Sequence, residues 1–279
     1  MNPRVYIPSR GRPENVVKLV KAWDTELFDV VFMVEPDEQL AYAKSIPNEI
    51  TIAVAVESLP DRNLGVGFSR ARCLEHAKAD GHEAIILSDD DIKPVCGMDH
   101  LIEDVKDPLA VAITSYHSYM DLALGVKGKE RDDILIVAPS FMRMWSVNIE
   151  NVYAIGGLDK NLKCIDDNEL KFRAALNGFP WMIHFAAKSS SFGKRFATGG
   201  VSSLGSRAVD DAADQIIAKH AEHSPHLVNR VDTPKAIQYK WSKIHDAFLP
   251  GWRDWSEKHG GSISNYFGVG WKPYGKGGD

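Results

Sequence analysis

Apolar residues along this chain fall in short runs separated by polar stretches rich in glycine and proline, and their spacing shifts between that of strands and that of helices. Arg4-Val5-Tyr6-Ile7 reads as a first strand, stopped by Pro8-Ser9-Arg10-Gly11-Arg12-Pro13. Residues 14–23 follow with Val16, Val17, Leu19, Val20 and Trp23 at helical spacing. Residues 30–34 form a second strand that delivers Glu35, residues 38–44 a helix, and residues 50–56 a third strand. Gly65 and Gly67 open a helix that runs to about Ala79 and carries Arg70 and Arg72 near its start. Ile85-Ile86-Leu87 is wholly apolar, as strands buried in parallel sheets are, and it runs straight into Asp89-Asp90-Asp91.

Further strands are expected at 109–114, 134–138, 140–147 and 181–185. A helix led by Asp166 and Asp167 turns Leu170, Ala174 and Leu176 inward and stops at Gly178, and another covers 210–223. Residues 125–133 read as a polar loop, and residues 188–200 as a flexible loop of glycines, hydroxyls and cations suited to closing over an anion, a composition that a disordered linker shares. Strands alternating with helices make this an α/β chain: a mostly parallel, Rossmann-like sheet flanked by helices over 1–187, then a helical or irregular extension over 188–279.

Composition adds limits. At 279 residues, 44% hydrophobic and 25% charged, the chain has ordinary globular proportions. No apolar run approaches a membrane span and the start has no signal-peptide character, so a soluble, cytoplasmic protein without membrane association is expected. Cys73, Cys96 and Cys164 match neither a disulfide framework nor a zinc site and read as reduced core thiols. The net charge of -5 is unevenly spread: residues 188–279 hold 13 Lys and Arg against 9 Asp and Glu, whereas residues 1–187 hold 20 against 29. The tail also carries Trp241, Trp252, Trp255 and Trp271. A cationic, aromatic-rich end suits a polyanion or unstacked bases, and equally a solvated face of amphipathic side chains.

The chemistry concentrates at the ends of strands. Three adjacent carboxylates repel one another, and a divalent cation with an anionic ligand offsets that, so Asp89-Asp90-Asp91 points to a metal with phosphate beyond it; a solvated turn accounts for the same residues without a ligand. The loop with Arg10 and Arg12 precedes helix amides and is equipped to meet an anion, or is simply a basic turn before a helix. Glu35 can accept hydrogen bonds from a ribose or base, and Arg70 and Arg72 sit against the helix dipole as if an anion were near. Asp167 is positioned to serve as a general base or merely to cap its helix.

In order and spacing, the opening strand-loop-helix, the glycine-arginine helix, the strand into Asp89-Asp90-Asp91, Gly156-Gly157-Leu158-Asp159 and the acid-led helix resemble a glycosyltransferase of the GT-A fold over about residues 4–185. Ile7-Pro8-Ser9-Arg10-Gly11-Arg12-Pro13, Asn63-Leu64-Gly65-Val66-Gly67 and the basic region around Gly199-Gly200 look more narrowly like the phage TET-associated DNA glycosyltransferases. The resemblance implies Mn2+ or Mg2+ held by Asp91 and Asp89, with Asp89 alternatively on the ribose. It implies a nucleotide-sugar donor, a UDP-sugar first, met by Pro8, Ser9, Arg10, Arg12, Glu35, Arg70, Asp89, Asp90 and Lys194. Asp167, with Asp166, is the implied base, although the usual Glu-Asp pair is Asp-Asp here. The implied acceptor is a hydroxymethylated cytosine or uracil in double-stranded DNA, approached by Lys188, Arg195, Arg207, Lys240 and Lys243. In-line displacement with such a base implies inversion. A glycan or protein acceptor, which needs no basic tail, and a non-catalytic nucleotide-binding module remain open alternatives.

Overall fold

The computed structural model describes residues 2–108, 110–117, 135–137, 143–177, 179 and 182–192, parts of 211–222, and short strand segments at 227–229, 237–239 and 262–263. In chain order the elements begin with β1 (Arg4–Pro8), α1 (Glu14–Ala22), β2 (Asp29–Val34), α2 (Gln39–Ser45), a 3-10 helix (Asn48–Ala53) and β3 (Val54–Ser58). They continue with α3 (Val66–Ala79), β4 (Ala84–Ser88), β5 (Ile92–Cys96), α4 (Met98–Val105), β6 (Ala112–His117), β7 (Leu135–Val137) and β8 (Met144–Asn148). Then come α5 (Ile149–Ala154), α6 (Asp166–Leu176), β9 (Met182–Ser191), β10 (Leu227–Asn229), β11 (Ile237–Tyr239) and β12 (Ser262–Ile263).

Most of these strands join one sheet in the order β12-β7-β9-β6-β8-β4-β1-β2-β3, with β5 paired to β9. The β3-β2-β1-β4 part is parallel throughout, and β8 runs antiparallel to β4. Alternation along each strand supplies both cores. Val5, Ile7, Val30, Phe32 and Ile86 face one layer, packed on Val16, Leu19 and Val20 of α1 and Leu101 and Ile102 of α4. Tyr6, Val31, Ile85 and Leu87 face the other, against Leu74 and Ala77 of α3 and Leu170 and Ala174 of α6. The continuous apolar run of β4 is thus explained: both of its faces are covered, and all five residues are buried.

Chain order places the functional edge. The chain steps outward from β1 to β2 and β3, then returns to the far side of β1 as β4, so the strand order reverses between β1 and β4. A crevice opens at the carboxyl ends of parallel strands at such a switch point. The loop after β1 and the three aspartates after β4 both lie there.

Three expectations are corrected. Residues 50–53, expected as strand, belong to the 3-10 helix, because Pro47 starts a turn before the chain reaches its pairing partner β2. Residues 188–191, expected in a loop, extend β9: Ile92 pairs Ser191, Lys93 pairs Ser190, and the buried Ser189 hydroxyl meets Ser115 Oγ at 2.8 Å. Hydroxyl pairing substitutes there for an apolar inner face, which hides the strand from hydropathy, and β9 continues past residue 187 after a register shift against β6 between His184 and Lys188. Cys96, expected in the core, is exposed on β5, while Cys73 and Cys164 are buried free thiols. The expected loop at 125–133 lies outside the described residues. Among the described residues no helix is long and apolar enough to cross a membrane.

Candidate active site

Each of the three adjacent aspartates meets different surroundings. Asp90 is 6% exposed and turns inward, where Arg12 Nη1 donates to Oδ1 at 2.6 Å and Ser9 Oγ donates to Oδ2. Burial still pushes its carboxyl up to about 7, with Arg12 opposing. Ser9 Oγ also meets Tyr42 Oη at 2.7 Å, Arg12 N–H donates to the same phenol at 3.0 Å, and Asn15 Nδ2 donates to the Asp90 carbonyl at 3.1 Å. Ser9, Arg12 and Asp90, expected on a ligand, therefore spend these polar groups fixing the β1-α1 loop against the end of β4.

Asp89 and Asp91 face the open edge. Arg70 Nη2 donates to Asp89 Oδ1 at 2.8 Å, and Arg143 Nη1 lies 4.0 Å from Asp89 Oδ2 and 3.7 Å from Asp91 Oδ1. Burial drives the Asp89 carboxyl up to about 6, with Arg70 opposing and Asp91 adding to the rise; solvent at the exposed third of its side chain moderates the shift. Asp91 Oδ1 is buried and has no hydrogen-bond partner. Hard carboxylate oxygens, one of them unsatisfied, are the donor set that Mg2+ or Mn2+ takes when phosphates and water complete its shell, so the residues fit such an ion. Among the described residues no third His, Cys, Asp or Glu joins these two closely enough to form an all-protein site.

Arg70 ties this edge to α6. It is 6% exposed, bonds Asp166 at 3.1 and 3.2 Å as well as Asp89, and lies over the Trp145 ring at 5.8 Å. Burial disfavours its charge, but Asp166 and Asp89 overcome that and hold it protonated, so the anion expected near it is the chain's own pair of carboxylates. Asp166 is fully buried, and burial against the opposing pull of Arg70 leaves its carboxyl raised. Asp167, one residue on, keeps 19% of its side chain exposed, with Lys171 Nζ at 3.9 Å. Ile165, just before them, has φ +53, a costly conformation for a β-branched residue, and its carbonyl accepts the N–H groups of Asn168 and Glu169.

Gly65 and Gly67 serve close packing. A Cβ on Gly65, whose φ is +91, would come within 2.5 Å of Lys163 Cα, and one on Gly67 would strike the Leu162 carbonyl, so only glycine lets the start of α3 lie against 159–163. That packing brings Arg70 to Asp166.

Beside the acids, Glu35 is buried after β2, receives Asn63 N–H at 2.8 Å and pairs with Arg10 Nε at 3.2 Å, while Arg10 also donates to Asn63 Oδ1. Pro8 ends β1 at this edge. Lys188 is half-buried on β9, opposite Cys96. Arg72, exposed on α3, pairs with Glu75. Lys194, Arg195, Arg207, Lys240 and Lys243 lie outside the described residues.

Two sets of residues escaped sequence reading. Arg143 reads as one residue within the strand expected at 140–147 beneath the site, with no role of its own; the pairing of β8 with β4 brings it to the aspartates. Glu169 is fully buried, bound by Arg173 Nε at 2.7 Å, Lys219 Nζ at 2.9 Å and His220 Nε2 at 3.0 Å. Arg173 also donates to the Ile155 and Gly157 carbonyls, and Lys219 reaches Asp159 at 2.8 Å, so the clasp fastens 219–220 to α6 and to the Gly156-Gly157-Leu158-Asp159 turn. The i, i+4 spacing of Glu169 and Arg173 was its one sequence signal.

Residues 3–117 match the family model described as TET-Associated Glycosyltransferase. No curated protein sequence matches the chain. Among solved structures the fold is similar to mannosyltransferase PcManGT from Pyrobaculum calidifontis in complex with GDP-Man and Mn2+, at 13% identity over 90% of this chain and 69% of that one, TM-score 0.57. It is also similar to S. aureus TarS 1-349 in complex with UDP-GlcNAc, at 14% identity over 93% of this chain and 75% of that one, TM-score 0.53. GalNAc-T7 with UDP, GalNAc and Mn2+ matches at 11% identity over 89% of this chain and 54% of that one, TM-score 0.51. At such identities the likeness shows the fold alone, which is that of GT-A glycosyltransferases.

Proposed function

On the premise that residues 3–117 carry a TET-associated glycosyltransferase domain, we propose that this protein transfers a sugar from a nucleotide-sugar, a UDP-sugar first, to the hydroxymethyl group of a modified cytosine or uracil in double-stranded DNA. The observation that carries the reading is the switch-point cluster, where Asp91 Oδ1 is buried without a hydrogen-bond partner beside a half-compensated Asp89. Asp89 and Asp91 would hold Mn2+ or Mg2+, which supplies charge neutralisation for a diphosphate leaving group. Support comes also from the GDP-Man, UDP-GlcNAc and UDP bound in proteins of like fold.

The chain's own residues divide the rest. Glu35, oriented by Arg10 and Asn63, receives the nucleoside, and the loop braced by Asp90, Ser9, Arg12 and Tyr42 holds the crevice open at a fixed width. The acceptor oxygen attacks the anomeric carbon as the bond from that carbon to the diphosphate oxygen breaks, and Asp167 takes the hydroxyl proton. Asp167 suits this role better than Asp166, which is fully buried against Arg70 and has no path to an acceptor. Lys194 is the cation proposed to close over the diphosphate, and Lys188, Arg195, Arg207, Lys240 and Lys243 are proposed to meet DNA phosphates. Such contacts supply affinity that falls with salt, while a flipped base enters the crevice.

The test is mass spectrometry of nucleosides from hydroxymethylated duplex DNA incubated with the protein, Mn2+ and a panel of nucleotide-sugars. A nucleoside heavier by one hexose or N-acetylhexosamine is expected. Donor hydrolysis with unmodified DNA would contradict the DNA acceptor, and an untouched donor panel would contradict transfer altogether.

A further inference from the structure

Arg143 occupies the position from which a cation reaches both open aspartates. Its carbonyl accepts the Asp89 N–H at 2.8 Å, which fastens its backbone to the motif. Its Nη1 stands 3.7 Å from Asp91 Oδ1 and 4.0 Å from Asp89 Oδ2, ion-pair distances too long for hydrogen bonds. Asp89 Oδ1 is taken by Arg70 and Asp90 by Arg12, so these two oxygens are the ones left facing Arg143. All three side chains keep about a third of their exposure, so the guanidinium is free to swing away.

A guanidinium and a divalent ion cannot both sit against the same two carboxylate oxygens, since like charges at that separation repel. We propose that Arg143 is a resident counter-cation of the metal site: it balances Asp89 and Asp91 until a metal displaces it, and the donor diphosphate then becomes its partner. This rests on the metal-and-nucleotide reading above. The guanidinium fork matches phosphate oxygens as well as carboxylates, so the displaced side chain keeps a charged partner only when nucleotide is present. Metal and nucleotide must then favour each other's binding by the same factor. Metal alone is held weakly because it must evict Arg143.

The experiment titrates Mn2+ into the full-length protein without nucleotide, following the electron paramagnetic resonance of free Mn2+, for wild type, Arg143→Gln, Arg143→Lys and the double variant Arg143→Gln with Asp91→Asn. Arg143→Gln should bind Mn2+ about five- to tenfold tighter than wild type, the scale of one or two partly solvated charge pairs. Arg143→Lys should return towards wild type, and the double variant should lose the gain. UDP affinity at saturating Mn2+ should fall in Arg143→Gln. Misfolding weakens a site, so a tighter one cannot come from damage. Equal or weaker Mn2+ binding by Arg143→Gln, with wild type binding measurably, would overturn the role of Arg143 and leave the metal site standing. Absence of Mn2+ binding in every form, with or without UDP, would overturn the metal reading and this inference together.

Discussion

Asp89 and Glu169 are both acids beside arginines, yet burial drives the Asp89 carboxyl up to about 6, whereas Glu169 lies at about 2. Burial alone would raise Glu169 as well, but hydrogen bonds from His220, Arg173 and Lys219 overcome it. At the strand edge three aspartates share Arg70, Arg12 and a distant Arg143, and Arg70 is further divided with Asp166. One cluster is short of positive charge, and in the other Glu169 is met by three donors. The contrast teaches what each is for: an acid met by several donors holds pieces of the fold together, and an under-compensated one is ready for a cation from outside. Helix α6 joins the two, with Asp166 and Asp167 in its first turn towards the edge and Glu169 and Arg173 in the clasp.

The largest effect is expected where the helix meets the open cluster. Asp167→Asn keeps the shape and removes the base, so single-turnover transfer should fall by about 10³-fold, within the range for a lost general base, while UDP affinity stays within a few-fold. Retained turnover would place the base elsewhere and end the distinction drawn between Asp167 and the buried Asp166.

Breaking the clasp should instead cost stability. Glu169→Gln leaves Arg173 and Lys219 without their shared anion, a loss of about 3 kcal/mol on the scale of a broken buried pair, read as a lower urea midpoint. The same acid fixes a pH dependence. Its folded carboxyl lies near 2, below the ordinary 4.5, so the folded chain binds fewer protons than the unfolded chain between those values. The stability it contributes is complete above about pH 4.5 and is lost as pH falls towards 2. Urea midpoints for Glu169→Gln should lack that part of the acid decline, and an identical acid profile in both proteins would refute the clasp.

The smallest effect belongs to the buried brace. Tyr42→Phe removes the phenol that receives Arg12 N–H and meets Ser9, which should cost about 1 kcal/mol in stability and weaken UDP binding only slightly. A large loss of UDP affinity would mean that Tyr42 touches the ligand.

These residues also mark how far the sequence could be read. The Asp89-Asp90-Asp91 edge was legible because the apolar run Ile85-Ile86-Leu87 leading into it admits few explanations other than burial on both faces. The acid-led helix was legible from its first-turn acids and its inward Leu170 and Ala174. Partnerships were not. Arg70 lies 96 residues from Asp166, and Ser9 lies 81 from Asp90, so nothing local says that the anion awaited by Arg70 is another part of the chain. Arg143 reaches the aspartates only through antiparallel pairing of β8 with β4, and the polar end of β9 looked like a loop because a hydroxyl pair, Ser115 with Ser189, stands in for apolar packing. Spacing reports which face a residue takes within its own element, whereas charge balance in a cluster depends on elements the chain brings together later.

The central claim is that the strand-edge acids are under-compensated by their arginines and accept a divalent cation together with a nucleoside diphosphate. A calorimetric titration of UDP into the wild-type protein, with Mn2+ and then with a chelator in its place, tests it most directly. UDP should bind about tenfold or more tightly with Mn2+, the size of an ordinary coupling free energy between two ligands. Equal UDP affinity with and without Mn2+ would contradict the account.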